Sequence, residues 1–320
     1  MPKPVVVVGS LNLDLVAAVE RIPLPGQTLT GRTFQTFFGG KGGNQAVAVA
    51  RLGYPVHMVA KVGSDDIGPR LCAGLREAGV NTRWVTPARG TSSGVALIAT
   101  DRTGQNSIVV IPGANGKLLP SDVARVEPLI RSAAIVLLQL EVPLATVSRT
   151  VELARKHAVP VMLDPAPARL LPASLLRRVH WLTPNETEAG ALCGEASSGA
   201  PKVRQLRRYA ERLLSPSGGY VVLKLGARGA LLAGPDGLRE YIPAFQVRAV
   251  DSTAAGDAFN GGLAVALAQG SDVLAAARFA SAVAALSVTR AGAQPSMPSA
   301  REVRAFLRRA KPESASEFLG

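Results

Sequence analysis

One carboxylate, Asp257, stands among small residues in the stretch VDSTAAGDAFNGG, which runs from Val250 to Gly262. An alanine-rich run follows, so we predict that a helix begins here, and the first amides of a helix have no partners within it. These amides carry the positive end of the helix dipole, and Gly256 adds no side chain to cover them, so an anion can bind there. An acid beside that anion can take a proton from an attacking hydroxyl, which is what phosphoryl transfer needs. Taken alone, the stretch also fits a helix start capped by small residues.

A glycine-rich segment, FFGGKGGNQA, surrounds Lys41 with four glycines and precedes another predicted helix. It does not match the phosphate-binding pattern G-x-x-x-x-G-K-[ST], because Gly42 follows the lysine. We expect the glycines to let a small polar ligand approach the backbone, with Lys41 and Asn44 as hydrogen-bonding groups. The alternative is an ordinary turn.

Other polar side chains follow predicted strands. Asn12 and Asp14 in GSLNLDL are two positions apart, so both face one side of an extended segment just past the first strand. Glu141 ends the strand IVLLQLE in the same way. Open α/β sheets bind ligands at the carboxyl ends of their strands. We therefore expect these side chains to bind a hydroxylated ligand.

Two more motifs have the same placement. The segment TPNETEA puts Asn185, Glu186 and Glu188 after a strand, where acids can hold metal-bound water near phosphates, because Mg²⁺ keeps several waters. A helix cap is the alternative. In LKLGARGA, Gly226 and Gly229 mark a tight turn suited to a nucleotide edge or a phosphate. Because these motifs all fall at predicted strand ends, we expect them to converge on one site.

The elements that must position these residues alternate along the chain. At 320 residues the chain is long enough for one large domain or two small ones, and its short β-branched runs alternating with longer helical patterns predict a mostly parallel sheet covered by helices on both faces. Two regions break the rhythm, at about 14–38 and 93–111, and are typical of β-hairpins outside the main sheet. We expect them to pair into a small β-sheet lid that excludes water. Residues 312–320 are predicted to be a flexible tail.

Composition narrows the class of protein. The chain has 320 residues, and its 47% hydrophobic but only 4% aromatic content predicts an aliphatic core. The net charge of +13 is scattered and not interleaved with aromatics, so we expect no nucleic-acid partner, although a basic surface attracts anionic substrates. Cys72 and Cys193 are far apart and fit small buried hydrophobes in a reducing compartment. We see no signal peptide or membrane-spanning run, and expect a cytoplasmic protein.

On the motifs GGKGGNQAVA, DPAPAR, TPNETEA and DSTAAGDAFNGG, the chain resembles the ribokinase (PfkB-type) carbohydrate kinase family over nearly its whole length. The resemblance implies a single α/β domain over residues 1–320, a three-layer α/β/α sandwich with a mostly parallel central sheet and a small β-sheet lid. It also implies ATP-dependent phosphorylation of D-ribose at the 5-hydroxyl, and pairing of two copies through their lids as a homodimer. The cofactors that it implies are ATP, Mg²⁺ and a monovalent cation, typically K⁺.

By matching positions, the resemblance also assigns residues. Asp257 resembles the catalytic base, and the anion hole comprises Ala254, Ala255, Gly256 and Asp257. The sugar-binding set comprises Asn12, Asp14, Gly40, Lys41, Asn44, Glu141 and Asp257. The nucleotide and Mg²⁺ set comprises Asn185, Glu188, Lys224, Gly226, Ala227, Arg228, Gly229, Gly256 and Ser281. The K⁺ set, several of whose members would act through backbone carbonyls, comprises Asp251, Thr253, Ser287, Arg290, Gly292 and Ser296.

Three positions depart from the family pattern. Lys224 stands where some members have Thr, Ser281 where a His near the adenine is often found, and Asp164 where the pattern has Asn. These departures bear on affinity more than on reaction type. Two alternatives stay open: a kinase of the same fold acting on deoxyribose, fructose, a keto-deoxy sugar acid or a nucleoside, and a sugar-binding regulator without catalysis. The intact Gly256-Asp257 pair argues against the regulator.

Overall fold

The apolar run VVVV near the start of the chain forms a fully buried strand, β1 (Val5–Val8). Such a run has no polar face, so it belongs inside a sheet that is covered on both sides. β1 pairs in parallel with a strand on each side. The structure, a computed structural model, describes residues 2–195, 201–217, 219–235 and 237–310. The tail predicted at 312–320 lies outside these residues.

The main sheet is mostly parallel. Within the described ranges it has nine strands, which are numbered along the chain and follow the order β13-β12-β11-β10-β9-β8-β1-β4-β5. Only β12 and β13, at one edge, run antiparallel to their neighbours. Besides β1, its strands are β4 (Val56–Gly63), β5 (Asn81–Ala88), β8 (Ile135–Leu138), β9 (Val161–Leu163), β10 (Trp181–Leu182), β11 (Tyr220–Lys224), β12 (Ala230–Ala233) and β13 (Arg239–Ile242).

Helices cover both faces of this sheet. Apolar residues of α1 (Lys41–Arg51), α2 (Ile67–Glu77), α9 (Ala255–Ala268), α10 (Val273–Ser287) and α11 (Ala300–Arg309) form the core on one face. On the other face the core comes from α3 (Pro120–Arg125), α4 (Glu127–Arg131), α5 (Leu144–Lys156), α6 (Ala173–Leu176), α7 (Glu186–Leu192) and α8 (Val203–Ser217). The predicted three-layer architecture is confirmed.

A separate small sheet, here called the small sheet, stands beside the main one. In the described part of the chain it has four strands in the order β3-β2-β6-β7. They are β2 (Asn12–Ala18), β3 (Thr33–Gly39), β6 (Gly94–Thr100) and β7 (Asn106–Ile111). The two regions that break the sequence rhythm supply these strands. The small sheet begins two residues earlier than predicted, so Asn12 and Asp14 lie on its strand β2.

Some elements lack a clear sequence pattern and were not predicted. They are the edge strands β5 and β13 and the helices α3, α4 and α6. Three 3₁₀ turns, Gly113–Lys117, Gly226–Arg228 and Gln294–Ser296, complete the connections described. Among the described residues, no helix combines the length and the apolar character needed to cross a membrane.

Candidate active site

Asp257 lies in the first turn of α9, as the alanine-rich run predicts, and is 4% exposed. The residue before the helix, Ala254, has a left-handed conformation with φ 60°, which is uncommon for a residue other than glycine. The Ala255 amide donates to the carbonyl of Ser252 at 3.2 Å. Within the described residues, the amides of Gly256 and Asp257 have no acceptor. The open part of the predicted anion hole is therefore these two amides.

Two side-chain amides from the start of α1 orient the Asp257 carboxylate. Asn44 Nδ2 donates to Oδ2 at 3.0 Å, and Gln45 Nε2 donates to Oδ1 at 3.0 Å. Burial raises the pKa of Asp257 to about 6; the positive charge of Lys41 opposes this shift and the charge of Asp164 adds to it. The carboxylate is thus more basic than usual while remaining largely ionised at neutral pH.

Glu141 and Lys41 meet at the end of β8. The Lys41 backbone N–H donates to Glu141 Oε2 at 3.0 Å, and Ser10 Oγ donates to the same oxygen at 2.5 Å. Burial lowers the pKa of Lys41, but surrounding carboxylates, Asp257 foremost, raise it above its usual value. The lysine is therefore a permanent cation among acids. Ser10, which no motif singled out, holds Glu141 in place.

Asn12 and Asp14 approach the same region from β2. The carbonyl Oδ1 of Asn12 accepts a hydrogen bond of 2.7 Å from Asn115 Nδ2, another residue that sequence reasoning missed. Burial raises the pKa of Asp14 to about 7, and the charges of Glu141 and Asp257 add to the shift. The three carboxylates are therefore close enough to repel one another.

Glycines make room for these groups. A Cβ at Gly39 would lie 2.2 Å from Asp14 Oδ2, and one at Gly40 would lie 2.8 Å from the backbone nitrogen of Asn12. Gly40 also has φ 81°, which side chains rarely tolerate. The glycine-rich segment thus serves close packing around the polar groups rather than the wrapping of a phosphate.

A cavity of about 310 Å³ adjoins the start of α9, where Ala255, Gly256 and Phe259 line it. Its lining includes most of the predicted nucleotide residues together with apolar side chains that no motif marked. The predicted members are Lys224, Gly226, Ala227, Gly229, Gly256 and Ser281, and the apolar ones include Phe245, Val247, Ala284 and Val288. Because Gly256 belongs to both the cavity and the anion hole, a ligand in the cavity can reach the open amides. The cavity's size and apolar lining suit a small-molecule site.

Arg228 is placed differently from the rest of its turn. Its guanidinium pairs with Glu186 and contacts the carbonyl of Pro201 at 3.3 Å. The side chain therefore holds the turn to α7.

Asn185 and Glu188 form a reciprocal helix cap at the start of α7. Asn185 Oδ1 accepts from the Glu188 amide at 2.8 Å, and the Asn185 amide donates to Glu188 Oε2 at 2.7 Å. The capping role does not separate Glu188 from the site, because the residue is only 6% exposed and its carboxylate interacts with Lys224. Burial raises the pKa of Glu188, and the positive charge of Lys224 opposes the rise. Glu188 thus lies in the electrostatic field of the site.

The predicted cation residues lie on the loop before α9 and on the segment from the end of α10 to the turn Gln294–Ser296, and Asp251 ties the two together. Asp251 Oδ1 accepts from the Thr253 amide at 2.9 Å, and Oδ2 accepts from the Gly292 amide at 2.8 Å. The hydroxyls of Ser287 and Ser296 donate to carbonyls three residues earlier, and the Arg290 guanidinium lies 2.5 Å from Glu302. Those three side chains are engaged, so the groups left for a cation are mainly backbone carbonyls. In the parts of the chain described, no group of three or more acidic, His or Cys side chains could hold a metal.

Known proteins resemble this chain over nearly its whole length. The profile of the pfkB family of carbohydrate kinases matches residues 2–300. A ribokinase of Haemophilus influenzae is 39% identical over 97% of this chain and 100% of its own length. A deoxyribokinase of Salmonella typhimurium is 38% identical over 95% of this chain and 98% of its own. The structure of Arabidopsis thaliana ribokinase complexed with ribose and ATP has a TM-score of 0.88 at 35% identity, covering 96% of this chain and 99% of that one.

Proposed function

The chain belongs to the pfkB family of carbohydrate kinases, and from that premise we propose that it transfers the γ-phosphoryl group of ATP to the 5-hydroxyl of D-ribose. One observation carries the proposal. The buried Asp257 carboxylate, oriented by Asn44 and Gln45, adjoins the open amides of Gly256 and Asp257. A base and an oxyanion-binding site in contact are the parts that phosphoryl transfer to an alcohol requires.

In the reaction, Asp257 takes the proton of the sugar hydroxyl as the oxygen attacks the γ-phosphorus. The bond from that phosphorus to the bridging oxygen breaks, and its electron pair leaves with ADP. The amides of Gly256 and Asp257 donate to the phosphoryl oxygens, where negative charge is spread in the transition state. The chain's own contribution is thus to position the two reactants and to balance their charge.

Ribose would lie on the side of Asp257 that faces the small sheet. We assign its hydroxyls to Asn12, Asp14, Lys41, Asn44 and Glu141. In the described structure Asn44 Oδ1 is buried without a hydrogen-bond partner, so it is an acceptor for a sugar hydroxyl. The small sheet then acts as a lid that excludes water from the γ-phosphate.

The nucleotide would occupy the cavity beside Gly256, with its base against the apolar lining and Ser281. Phosphate-bound Mg²⁺ needs few protein oxygens because it keeps most of its waters. The buried Glu188 carboxylate with Asn185 fits that requirement, and the ion would neutralise phosphate charge when bound. The tied loops at Asp251 and Gly292 offer carbonyl oxygens and a carboxylate, a donor set that fits a hard cation such as K⁺.

The outer surface of the small sheet suggests how two copies would pair. All six residues of β7 are exposed, and Ile108, Val109, Val110 and Ile111 are apolar. Successive strand residues point to opposite faces, so Val109 and Ile111 share one face with the exposed Leu97 of β6, whereas Ile108 and Val110 lie on the face that carries Asp14. Exposed apolar residues clustered on one face in this way mark an interaction site. We therefore infer a homodimer formed through the small sheets. A cytoplasmic location, where ATP is available, follows from the same proposed activity.

An assay of ADP release with purified protein tests the proposal. We expect ribose to give the highest kcat/KM in a panel with 2-deoxyribose, fructose, a keto-deoxy sugar acid and a nucleoside, with and without K⁺. The likeness to a deoxyribokinase makes 2-deoxyribose the second candidate, and a higher kcat/KM for that sugar would replace ribose. Ribose binding without ATP consumption would instead support a regulator.

A further inference from the structure

Lys224, the last residue of β11, places its ammonium between the cavity and the anion hole. A Cβ at Gly256 would lie 3.3 Å from Lys224 Nζ, so the ammonium is beside the first turn of α9. Lys224 and Gly256 line the same cavity. The lysine side chain is only 13% exposed, so its charge acts at short range and with little screening by water.

Asp164 is the partner that holds this lysine. Its Oδ1 lies 3.0 Å from Lys224 Nζ, and its side chain is 3% exposed. A buried ion pair is a poor source of stability, because the cost of removing two charges from water offsets their attraction. Stability alone therefore does not account for a buried ion pair at this position.

The same carboxylate is joined to Asp257. Gln45 Nε2 donates to Asp164 Oδ2 at 3.2 Å and to Asp257 Oδ1 at 3.0 Å. A continuous path of contacts thus runs from Lys224 through Asp164 and Gln45 to Asp257. The path joins the end of the nucleotide cavity to the base that faces the sugar.

We propose that Lys224 and Asp164 act as one unit: Lys224 contacts the terminal phosphates of ATP at the anion hole, and Asp164 positions both Lys224 and, through Gln45, Asp257. The inference rests on the proposed function. Phosphate oxygens bound to the Gly256 and Asp257 amides come within reach of an ammonium that already borders Gly256. A lysine binds such oxygens as a point charge on a flexible stem, so it needs a second group to fix its direction. Asp164 supplies that direction and is a positioning residue, because it does not itself contact substrate.

The charge balance explains why the positioning group is an acid. Lys224 next to the bound phosphates offsets their negative charge. Asp164 also keeps the ammonium from moving toward Glu188, a carboxyl group whose pKa is raised by burial and lowered by the positive charge of Lys224. Asp164 and Asp257 share Gln45, so without the ammonium two buried carboxylates would repel each other across one amide group. The Lys224–Asp164 pair therefore fixes the position of the Asp257 carboxylate relative to the phosphate-binding amides.

A double-mutant cycle tests the unit, using Lys224→Met, Asp164→Asn and the two combined. Kd is measured by calorimetry for ATP, adenosine and ribose, and kcat and KM come from ADP release. For Lys224→Met we expect the ATP Kd to rise about tenfold, as for the loss of one charged hydrogen bond. We expect kcat to fall about 10²-fold, as for the loss of one transition-state donor. The Kd for adenosine, which has no phosphates, should not change.

The combined variant decides whether the two residues form a unit. It leaves no unpaired buried charge, so it remains informative if Lys224→Met alone folds poorly. We expect its loss of kcat to be smaller than the product of the single losses, because contacting residues are not additive. The matched control is Lys61→Met, which removes a lysine of the same 13% exposure from an ion pair with Asp122 outside the site and should keep wild-type kinetics.

Three results would overturn the inference. They are a wild-type ATP Kd and kcat in Lys224→Met, single losses that multiply in the combined variant, and parallel loss of ribose and adenosine affinity, which indicates a purely structural pair. Nucleotide binding does not depend on which sugar is the acceptor. If ribose is not a substrate, the Kd values for ATP and adenosine still test the role of Lys224. If the wild type phosphorylates ribose and the variants have wild-type Kd and kcat, only the Lys224–Asp164 proposal is refuted and the proposed function stands.

Discussion

Asn44 Nδ2 lies 3.0 Å from Asp257 Oδ2, joining the start of α1 to the start of α9 across 213 positions of sequence. Two helix starts therefore share one ligand site. The contact fixes the direction in which the carboxylate can accept a proton, and several expectations depend on it.

Asp257→Asn keeps the shape of the residue and removes its basicity. We expect kcat to fall at least about 10²–10⁴-fold, the usual contribution of a general base. The ATP Kd should change little, because the Gly256 and Asp257 amides belong to the backbone. Steady-state ADP release and calorimetry measure the two. A variant with near-wild-type kcat would remove Asp257 from the role of base.

Activity should decline in acid because two site carboxyls have raised pKa values. The pKa of Asp14 is raised to about 7 and that of Asp257 to about 6, first by burial in both cases. As pH falls through 7 and then 6, Asp14 loses the charge that accepts sugar hydroxyls and Asp257 loses its function as a base. A plot of log kcat/KM against pH should approach a slope of 2 below pH 6, since both groups titrate in the free enzyme. A flat profile down to pH 5 would contradict this.

Asp14→Asn should weaken ribose binding but raise the melting temperature of the protein. An acid whose pKa is higher in the folded than in the unfolded state favours folding below its unfolded pKa, and that contribution is lost as pH rises through the folded pKa. For Asp14 the window runs from 3.8 to about 7. The variant should therefore melt at least about 2 °C above wild type at pH 8, with a smaller gain at pH 5 and weak ribose binding. An equal or lower Tm at pH 8 would count against it.

Asp65 provides a control of opposite sign for that experiment. Although burial raises its pKa, hydrogen bonds from Ser93 and Gly68 hold the pKa of Asp65 below its usual value. Its contribution to stability is present at neutral pH and is lost as pH falls. Asp65→Asn should therefore lower the Tm at pH 8, where Asp14→Asn raises it.

Gly39→Ala tests the close packing around Asp14. The new Cβ would lie 2.2 Å from Asp14 Oδ2, so the carboxylate must move. We expect the KM for ribose to rise about tenfold or more, as a lost charged hydrogen bond implies. The KM for ATP should be unchanged. Gly31→Ala is the matched control, because its nearest contact, the Ala18 carbonyl, would be 3.6 Å away. Equal kinetics in both variants would show that Asp14 tolerates the shift.

Val109→Glu tests the homodimer. Val109 is 57% exposed in β7, and a charge there opposes burial against a second copy. Light scattering should give twice the chain mass of 33.2 kDa for wild type and a single chain mass for the variant. Leu170→Glu, at an exposed leucine outside the small sheet, should remain a dimer. A monomeric wild type would refute the pairing.

Much of the fold follows from local pattern. β1 can be recognised from sequence because all of its residues are apolar, and α9 because it is long and rich in alanine. β5 was missed because its polar and apolar residues do not alternate cleanly and Pro87 lies near its end. The helix α4 was missed because its five residues are too few to show a helical period. The antiparallel direction of β12 agrees with the short, glycine-containing turn that joins it to β11, because parallel neighbours need a much longer connection.

The site divides in the same way. Asp257 and Lys41 could be proposed from sequence because glycine-rich, chemically distinctive segments surround them. Ser10, Gln45 and Asn115 were missed because each acts through another side chain. The partner of Ser10 is 131 positions away, and that of Asn115 is 103 positions away. Only three-dimensional proximity marks such residues.

The residues that we propose to bind the sugar come from two parts of the fold. The small sheet supplies Asn12 and Asp14 on β2, whereas Asn44 and Asp257 lie on helices that cover the main sheet and Glu141 follows β8. A sugar that contacts all of these residues would hold the small sheet against the main sheet and its helices. Without the sugar no ligand would join the two parts at these side chains, so we expect the small sheet to close fully over ATP only after the acceptor binds. Closure that depends on the sugar would limit the transfer of the γ-phosphoryl group of ATP to water when no acceptor is bound.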